Sequence, residues 1–342
     1  MDCICYKGSR FISVNSYLHT MRETLINSLT KIPISIKPAF KKVSSDNFIK
    51  NVLTSDLRVS IEICPNRALN EDLLSSIPFS FCSVTWRTPS NEQLEHVDQI
   101  PALILAKQLN SNGYNVLLHL AGRYLKREQV VRILEEVKSA GIRNLFALQG
   151  DPSEIKEKDD KKCDFPYASD LVTFIRERHG NYFCVGVAGY PEKHPQCENI
   201  EKDLQYLKFK VTRGADFIIT QASYDYQRFL TFSQQCHLMG INVPIIPGVF
   251  IISSHRTLTA MSKFCGVTIP RNIIDVVEAV KGNDDDVAKF GVQHATELIG
   301  KIFENQHLFA GVHMFSLNNL ELVKSVLQKT NINSECLVPL NA

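Results

Sequence analysis

The sequence predicts an α/β protein, a (β/α)8 TIM barrel with an N-terminal extension. From residue 58 onward, eight short apolar runs alternate with longer segments of helical period. The runs are almost continuously apolar and β-branched, which is typical of parallel strands covered by helices. An open doubly wound sheet usually has fewer strands and a Gly-x-Gly-x-x-Gly turn after the first, and this chain lacks that turn. The pattern therefore favours the closed barrel.

The predicted strands recur at regular intervals along the chain. They cover residues 59–65, 81–86, 115–122, 144–151, 182–190, 217–225, 244–252 and 311–318. Among the helical segments between them, residues 126–140 and 198–213 each place apolar side chains on one face and precede a glycine. Two more helical segments, near residues 271–280 and 284–305, separate the last two strands. This insertion is longer than one crossover helix requires.

Composition and charge exclude several classes of protein. Hydrophobic residues make up 44% of the 342 residues, which supports a full core. The net charge of +2, with both signs interspersed, gives no reason to expect nucleic acid or a membrane surface as partner. No apolar run is long enough to span a bilayer, and no secretory signal is evident. The ten cysteines form no Cys-x-x-Cys pair, so we expect reduced thiols and a cytoplasmic location.

Three segments are expected along the chain. Residues 1–57 are an extension (an arm or helical decoration), residues 58–332 the barrel, and residues 333–342 a tail. The extension is rich in Ser, Thr and Lys and poor in acidic residues, as organelle-targeting peptides are. Mitochondrial targeting is therefore the alternative to a cytoplasmic location, although Arg is scarce in the extension.

The first strand carries an acidic residue, Glu62, near the carboxyl end, where parallel barrels place their functional groups. An acid in an apolar strand is costly to bury unless it has a task or a partner. Apolar surroundings should raise its pKa, which suits a general acid near neutral pH. The alternative is a carboxylate paired with a nearby base such as Arg67.

The other strand ends offer polar, small and aromatic side chains. The residues in question are Thr85, Trp86, His119, Gln149, Gly150, Asp151, Ala188, Tyr190, His194 and Gln221. A lone histidine such as His119 is more often a hydrogen-bonded core residue than a catalyst. The sequence shows no metal-ligand spacing, nucleophile elbow or phosphate loop. Two separated carboxylates, Glu62 and Asp151, among amides and aromatics suit a bound organic cofactor.

Short motifs at these strand ends occur in a characteristic order. They are Val-Ser-Ile-Glu-Ile-Cys-Pro at 59–65, Ser-Val-Thr-Trp at 83–86, Ala-Leu-Gln-Gly-Asp-Pro at 147–152, Ala-Gly-Tyr-Pro at 188–191, Ile-Thr-Gln at 219–221 and Ile-Pro-Gly at 246–248. Together they resemble the methylenetetrahydrofolate reductase family, and the residues in these motifs are closer to those of its eukaryotic branch. The resemblance runs from Arg58 to Ile332 and implies a (β/α)8 barrel that holds FAD at the strand carboxyl ends.

The resemblance implies reduction of 5,10-methylenetetrahydrofolate to 5-methyltetrahydrofolate by NADPH or NADH, in a ping-pong reaction through FAD. It gives Glu62 the role of general acid, which protonates the leaving nitrogen as the folate ring opens to an iminium. Asp151 would stabilise that cation and tune the flavin, and Gln221 would contact folate and nicotinamide. The resemblance to the eukaryotic branch favours NADPH, but the sequence has no dinucleotide-binding motif that decides between NADPH and NADH.

Family positions also imply the binding residues. Those matching cofactor contacts are Thr85, Trp86, His119, Gln149, Gly150, Asp151, Tyr167, Ala168, Ala188, Tyr190, His194, Asp203 and Lys210. Those matching substrate contacts are Glu62, Asp151, Gln221, Tyr224 and Asn319, and no metal site is expected.

A few positions depart from the family pattern. Gln149 and Asn319 stand where the family usually has Arg, Ala121 stands for Thr, and Ser223 and Tyr224 stand for two Phe. The two carboxylates are unchanged, so these departures bear on substrate affinity and identity.

Two other hypotheses fit the same residues. One is a non-catalytic paralogue that binds a folate, a flavin or a protein partner, and the other is a flavin barrel reductase of another imine. The sequence leaves a homo-oligomer open. It ends at Ala342, where eukaryotic family members continue into an S-adenosylmethionine-binding domain, so we expect no such regulation.

Overall fold

The computed structural model describes Ile49 and residues 58–87, 89, 91–150 and 163–330. Within these ranges it confirms the predicted barrel, because eight parallel strands close in chain order. The strands are β1 (Arg58–Ile63), β2 (Phe81–Val84), β3 (Val116–Ala121), β4 (Asn144–Leu148), β5 (Cys184–Gly189), β6 (Phe217–Ala222), β7 (Ile245–Phe250) and β8 (Gly311–Phe315). Each overlaps its predicted run and ends earlier than the run does, since the described residues at the end of each run lie beyond the strand.

The helices that the structure describes cover the outside of the barrel. They are α1 (Glu71–Ser75), α2 (Asn91–Glu95), α3 (Pro101–Ser111), α4 (Arg127–Ser139), α5 (Ala168–His179), α6 (Ile200–Thr212), α7 (Tyr226–Leu238), α8 (His255–Cys265), α9 (Arg271–Val280), α10 (Asp284–Phe303) and α11 (Leu320–Lys329), with a short 3₁₀ helix at Val97–Gln99. The insertion between β7 and β8 thus holds three helices, where the sequence predicted two. The additional helix, α8, begins at a capping box of Ser254 and Thr257 and ends at Gly266, whose φ is 66°.

The core has two layers. Outward-facing strand residues such as Ile61 and Leu118 pack with helix residues such as Ile133 in the larger cluster. A second cluster fills the inside of the barrel, mainly near the amino ends of the strands; its buried members are Ile49, Phe81, Leu117, Phe146, Cys184, Phe217, Ile219 and Ile246. The backbone N–H of Ile49 donates to Asn144 Oδ1 at the start of β4, at 2.9 Å. The interior is therefore packed at this end, and space for a ligand must be sought at the other.

Several sequence predictions lie outside the described residues. These are the extension at residues 1–57 apart from Ile49, the tail at residues 333–342, and the second predicted catalytic acid, Asp151. None of the described helices combines the length and the apolar character that crossing a bilayer would require.

Candidate functional site

Glu62 lies near the carboxyl end of β1, opposite Ser83 of β2 in the parallel register. Its side chain is only partly exposed, and burial raises its pKa from 4.5 to about 7, with no contribution from a charge among the described residues. The predicted alternative, an ion pair with Arg67, is not formed in the described part of the chain. The Cys64 thiol lies beside Glu62, with its Sγ 4.0 Å from Glu62 Oε1. Glu62 is therefore a carboxyl group that holds its proton close to neutral pH.

A buried histidine, His313 of β8, lies in the layer beneath Glu62. Its Nδ1 lies 2.8 Å from the Ser60 hydroxyl and its Nε2 lies 3.1 Å from the Ser83 hydroxyl. Burial lowers the pKa of His313 to about 3, with a smaller effect from His119, and burial alone does the same for His119. Both rings are neutral at physiological pH, so this layer places no positive charge under Glu62.

Sequence reasoning missed His313, although a signal for it was available. Inward-facing positions alternate along each strand, and Ser60 of β1 pairs with His313 in the register. A polar residue at an inward position of two neighbouring strands predicts a hydrogen bond between them. The pairing could not be used without knowing the shear of the barrel.

Of the predicted cofactor residues in this part of the barrel, Thr85 and Trp86 follow β2, and His119 lies within β3. The backbone N–H of Thr85 donates to the Ile63 carbonyl at 3.0 Å, which continues the ladder between β1 and β2. The indole N–H of Trp86 and the Nε2 atom of His119 are both buried, with no hydrogen-bond partner among the described residues. The His119 ring leans on Phe146, with ring centroids 4.9 Å apart.

The turn after β4 brings backbone close to the barrel opening. Gly150 has a φ of 95°, and a Cβ atom there would lie 2.9 Å from the Cβ atom of Ala121. Gln149 donates from Nε2 to the Pro166 carbonyl at 2.9 Å. It thereby ties the end of β4 to the segment that leads into α5. The role of Asp151 stays a prediction, because it falls between the described ranges.

Tyr167 and Ala168 lie at the amino end of α5. Tyr167 is the residue before the helix and is 63% exposed, and its backbone N–H donates to Asp170 Oδ2 at 3.0 Å. Tyr167 therefore offers an exposed aromatic ring at the amino end of α5, which suits an aromatic ligand.

Five predicted cofactor residues come together between β5 and α6. Lys210 donates from Nζ to the Ala188 carbonyl at 2.5 Å, and its Nζ lies 5.8 Å from the centre of the Tyr190 ring. Asp203 Oδ2 accepts a hydrogen bond from the His194 backbone N–H at 3.3 Å. Burial lowers the pKa of Lys210 to about 8, while the Asp203 carboxylate opposes that change. Burial likewise raises the pKa of Asp203. A half-buried cation with an acid beside it is suited to bind an anion such as a phosphate.

The predicted substrate residues are more dispersed. Gln221, on β6, lines a small crevice with Tyr190 and Val267, and its Oε1 accepts from the next backbone N–H at 2.8 Å. Tyr224 is only 5% exposed and packs in an apolar cluster against α8, α9 and α10. Asn319 is exposed and caps α11, accepting from the Leu322 backbone N–H at 3.4 Å. Substrate contacts by Tyr224 and Asn319 stay predictions, and the structure gives each a local structural role.

These observations define a class of protein: a parallel (β/α)8 barrel whose mouth carries an acid that pairs with no cation among the described residues, with a half-buried lysine on the helix that follows β5. The chain belongs to the methylenetetrahydrofolate reductase family, because the model of that family matches residues 63–331. Among the described residues, no group of His, Cys, Asp and Glu could hold a metal ion.

Relatives from several kingdoms are similar to this chain. Methylenetetrahydrofolate reductase (NADH) 1 of Arabidopsis thaliana is 35% identical over 257 residues, which are 72% of this chain and 42% of the plant protein. The probable methylenetetrahydrofolate reductase (NADPH) of Caenorhabditis elegans is 32% identical, over 78% of this chain and 40% of its own length. The chain thus spans about two fifths of these relatives. The 5,10-methylenetetrahydrofolate reductase of Pectobacterium carotovorum is 28% identical, over 83% of this chain and 93% of the bacterial protein.

A solved structure shares the fold. It is an uncharacterized protein from Clostridium thermocellum that binds two copies of 5-methyl-5,6,7,8-tetrahydrofolic acid. The TM-score is 0.57 at 15% identity, and the match covers 83% of this chain and 98% of that one. At this identity the likeness supports the barrel architecture alone.

Proposed function

We propose that this chain reduces 5,10-methylenetetrahydrofolate to 5-methyltetrahydrofolate with NAD(P)H, using FAD as the cofactor. Membership of the family supports the reaction class. The observation that carries the proposal is Glu62, a carboxyl group at the barrel mouth whose pKa is raised by burial to about 7. An acid that is still protonated near neutral pH can donate a proton to a substrate nitrogen.

The residues present fit a flavin nucleotide. Lys210 offers a half-buried cation for the pyrophosphate, and the exposed Tyr167 ring offers an aromatic surface. The buried Trp86 indole N–H and the His119 Nε2 atom lack partners among the described residues, which suggests that polar groups of a ligand complete this region. When bound, FAD supplies the hydride relay, so that nicotinamide and folate react in turn in ping-pong order.

The protein's own groups would act on the folate. Glu62 would protonate the nitrogen whose bond to the methylene carbon breaks, and its neutral surroundings keep the proton on the carboxyl group until then. Gln221 would hold the substrate through its amide. Asp151 would stabilise the positive charge that develops on the ring-opened substrate, as the family resemblance implies.

The test is the absorbance of the purified protein. We expect a yellow protein whose flavin absorbance bleaches with NADPH in the absence of oxygen and returns when methylenetetrahydrofolate is added. Bleaching without return would refute the folate part and favour a reductase of another imine. A colourless protein that gains no colour with added FAD would favour the non-catalytic paralogue.

A further inference from the structure

The side chain of Asn318, in the loop after β8, contacts the loop after β1. Leu317 and Asn318 both adopt left-handed backbone, with φ of 52° and 66°, a conformation that asparagine tolerates better than most residues. The Cys64 backbone N–H donates to Asn318 Oδ1 at 2.8 Å, and Asn318 Nδ2 donates back to the Cys64 carbonyl at 3.0 Å. The same Nδ2 lies 3.3 Å from the carbonyls of Arg67 and Ala68.

These hydrogen bonds occur where the ladder between β1 and β8 has already ended. The last paired residues of the two strands are Ile61 and Met314. Beyond that pair, the amide of Asn318 gives Cys64 one acceptor and one donor, as a backbone neighbour in a sheet would. On its other side β1 is still held by β2, through the pairing of Glu62 with Ser83.

We propose that Asn318 is a positioning residue for Glu62, which fixes the carboxyl end of β1 by bonding both backbone polar groups of Cys64. Glu62 lies between the last ladder pair and this side-chain contact, so its backbone is held on both flanks. The consequence for function rests on the proposed reaction, because a general acid must be kept at a fixed place and out of bulk water.

Two substitutions at Asn318 and one matched control separate this role from general stability. Asn318→Gly keeps a residue that accepts positive φ and removes every side-chain contact. Asn318→Asp keeps the shape and the acceptor for the Cys64 N–H but loses the donors. The control is Asn70→Ala, on the same connection between β1 and α1, which removes only the cap bond from the Leu73 N–H at 3.0 Å.

The first measurement is hydrogen exchange of the Cys64 amide. In Asn318→Gly we expect exchange about fivefold faster than in the parent protein, because the hydrogen bond that protects this amide is lost. The exchange rate in Asn318→Asp should lie between those of the parent protein and Asn318→Gly. The exchange rate in Asn70→Ala should match that of the parent protein. Unchanged exchange in Asn318→Gly would overturn the proposal.

The second measurement is the titration of Glu62 itself, followed by its carboxyl carbon-13 signal and assigned with Glu62→Gln. Water admitted by a loosened β1 should lower the midpoint in Asn318→Gly by about one pH unit or more, whereas Asn70→Ala should leave it unchanged. An unchanged midpoint in Asn318→Gly would overturn the positioning role. Neither measurement needs folate or nicotinamide, so a parent protein that fails to reduce folate would refute the proposed function while these two results still decide the role of Asn318.

Discussion

Two acidic residues at opposite ends of the barrel wall, Glu62 and Asp216, show how differently the fold treats a carboxylate. Asp216 lies just before β6, at the amino ends of the strands, and its Oδ2 accepts from Arg176 Nη2 at 2.6 Å and from the Val185 N–H at 2.8 Å. Glu62 lies at the carboxyl end of β1 and pairs with no cation among the described residues. Both are largely removed from water, but only Asp216 has its charge compensated.

The difference assigns the two residues to different tasks. A partly buried acid with a cation and a backbone donor has its charge compensated, and removing the cation destabilises the fold because it leaves the acid uncompensated. A partly buried acid without such partners lowers stability when it ionises, and sites of this kind occur where a reaction needs a proton. At the amino end of this barrel the buried carboxylate is therefore compensated. At the carboxyl end an uncompensated acid lowers stability when it ionises and is available for a reaction.

The largest effect is expected for Glu62→Gln, measured by rapid-mixing absorbance on the flavin-loaded protein. Loss of the proton donor should slow folate reduction by about 10²- to 10⁴-fold, the usual contribution of a general acid. Reduction of the flavin by NADPH should change little, because no substrate nitrogen is protonated in that half-reaction.

Glu128→Gln, an exposed acid in the first turn of α4, is the matched control and should leave both half-reactions at the parent rate. Equal loss of both half-reactions in Glu62→Gln would contradict the role of Glu62 as a proton donor and indicate a damaged cofactor site instead.

A smaller effect is expected at the amino end of the barrel, where a substitution should change stability and leave the reaction unchanged. Arg176→Met removes the partner of Asp216 and the donors to the Gly214 and Phe183 carbonyls. Because the side chains of both ion-pair partners are mostly buried, the free energy of unfolding should fall by about 3 kcal/mol in chemical denaturation. The flavin half-reactions of the folded protein should be retained.

The control for this substitution is on the same helix. Arg178 pairs with Glu135 at 3.1 Å, with side chains 42% and 58% exposed. Arg178→Met should therefore cost less than about 1 kcal/mol. Equal losses for the two variants would show that burial does not distinguish the two ion pairs.

The third expectation concerns stability and pH at position 62. The pKa of Glu62 is raised from 4.5 to about 7 in the folded protein. Between these values the unfolded chain loses the proton and the folded chain keeps it, so rising pH lowers the stability of the parent protein by about 3 kcal/mol. Glutamine does not titrate, so Glu62→Gln should gain stability relative to the parent as pH is raised from 5 to 8. A difference in stability between Glu62→Gln and the parent protein that is the same at pH 5 and at pH 8 would contradict the raised pKa of Glu62.

The barrel was predictable from the sequence because its strands are buried on both faces. Runs such as residues 244–252 are apolar throughout, and helices such as α9 show clear one-sided patterns. Helix α8, which the sequence did not predict, was harder to find. Only Leu258 of its residues is buried, and its polar face dominates the sequence pattern.

The candidate site was predictable only in part. Glu62 could be found because an acid in an apolar strand violates the local pattern, and Lys210 because of the family resemblance. Contacts that depend on the shear of the closed barrel could not be found, such as those of His313 with the serines of β1 and β2. The contacts of Asn318 could not be predicted for the same reason, because its partners lie at the other end of the chain.

The most direct test of the contrast between the two acids is the titration of the Glu62 carboxyl group in the parent protein, by carbon-13 resonance. Its signal is assigned as the one that is missing from Glu62→Gln. An unpaired, buried acid at the barrel mouth should titrate with a midpoint of about 7. A midpoint near 4.5, the value of an ordinary glutamate, would show that Glu62 is hydrated or compensated and would contradict its assignment as the proton donor.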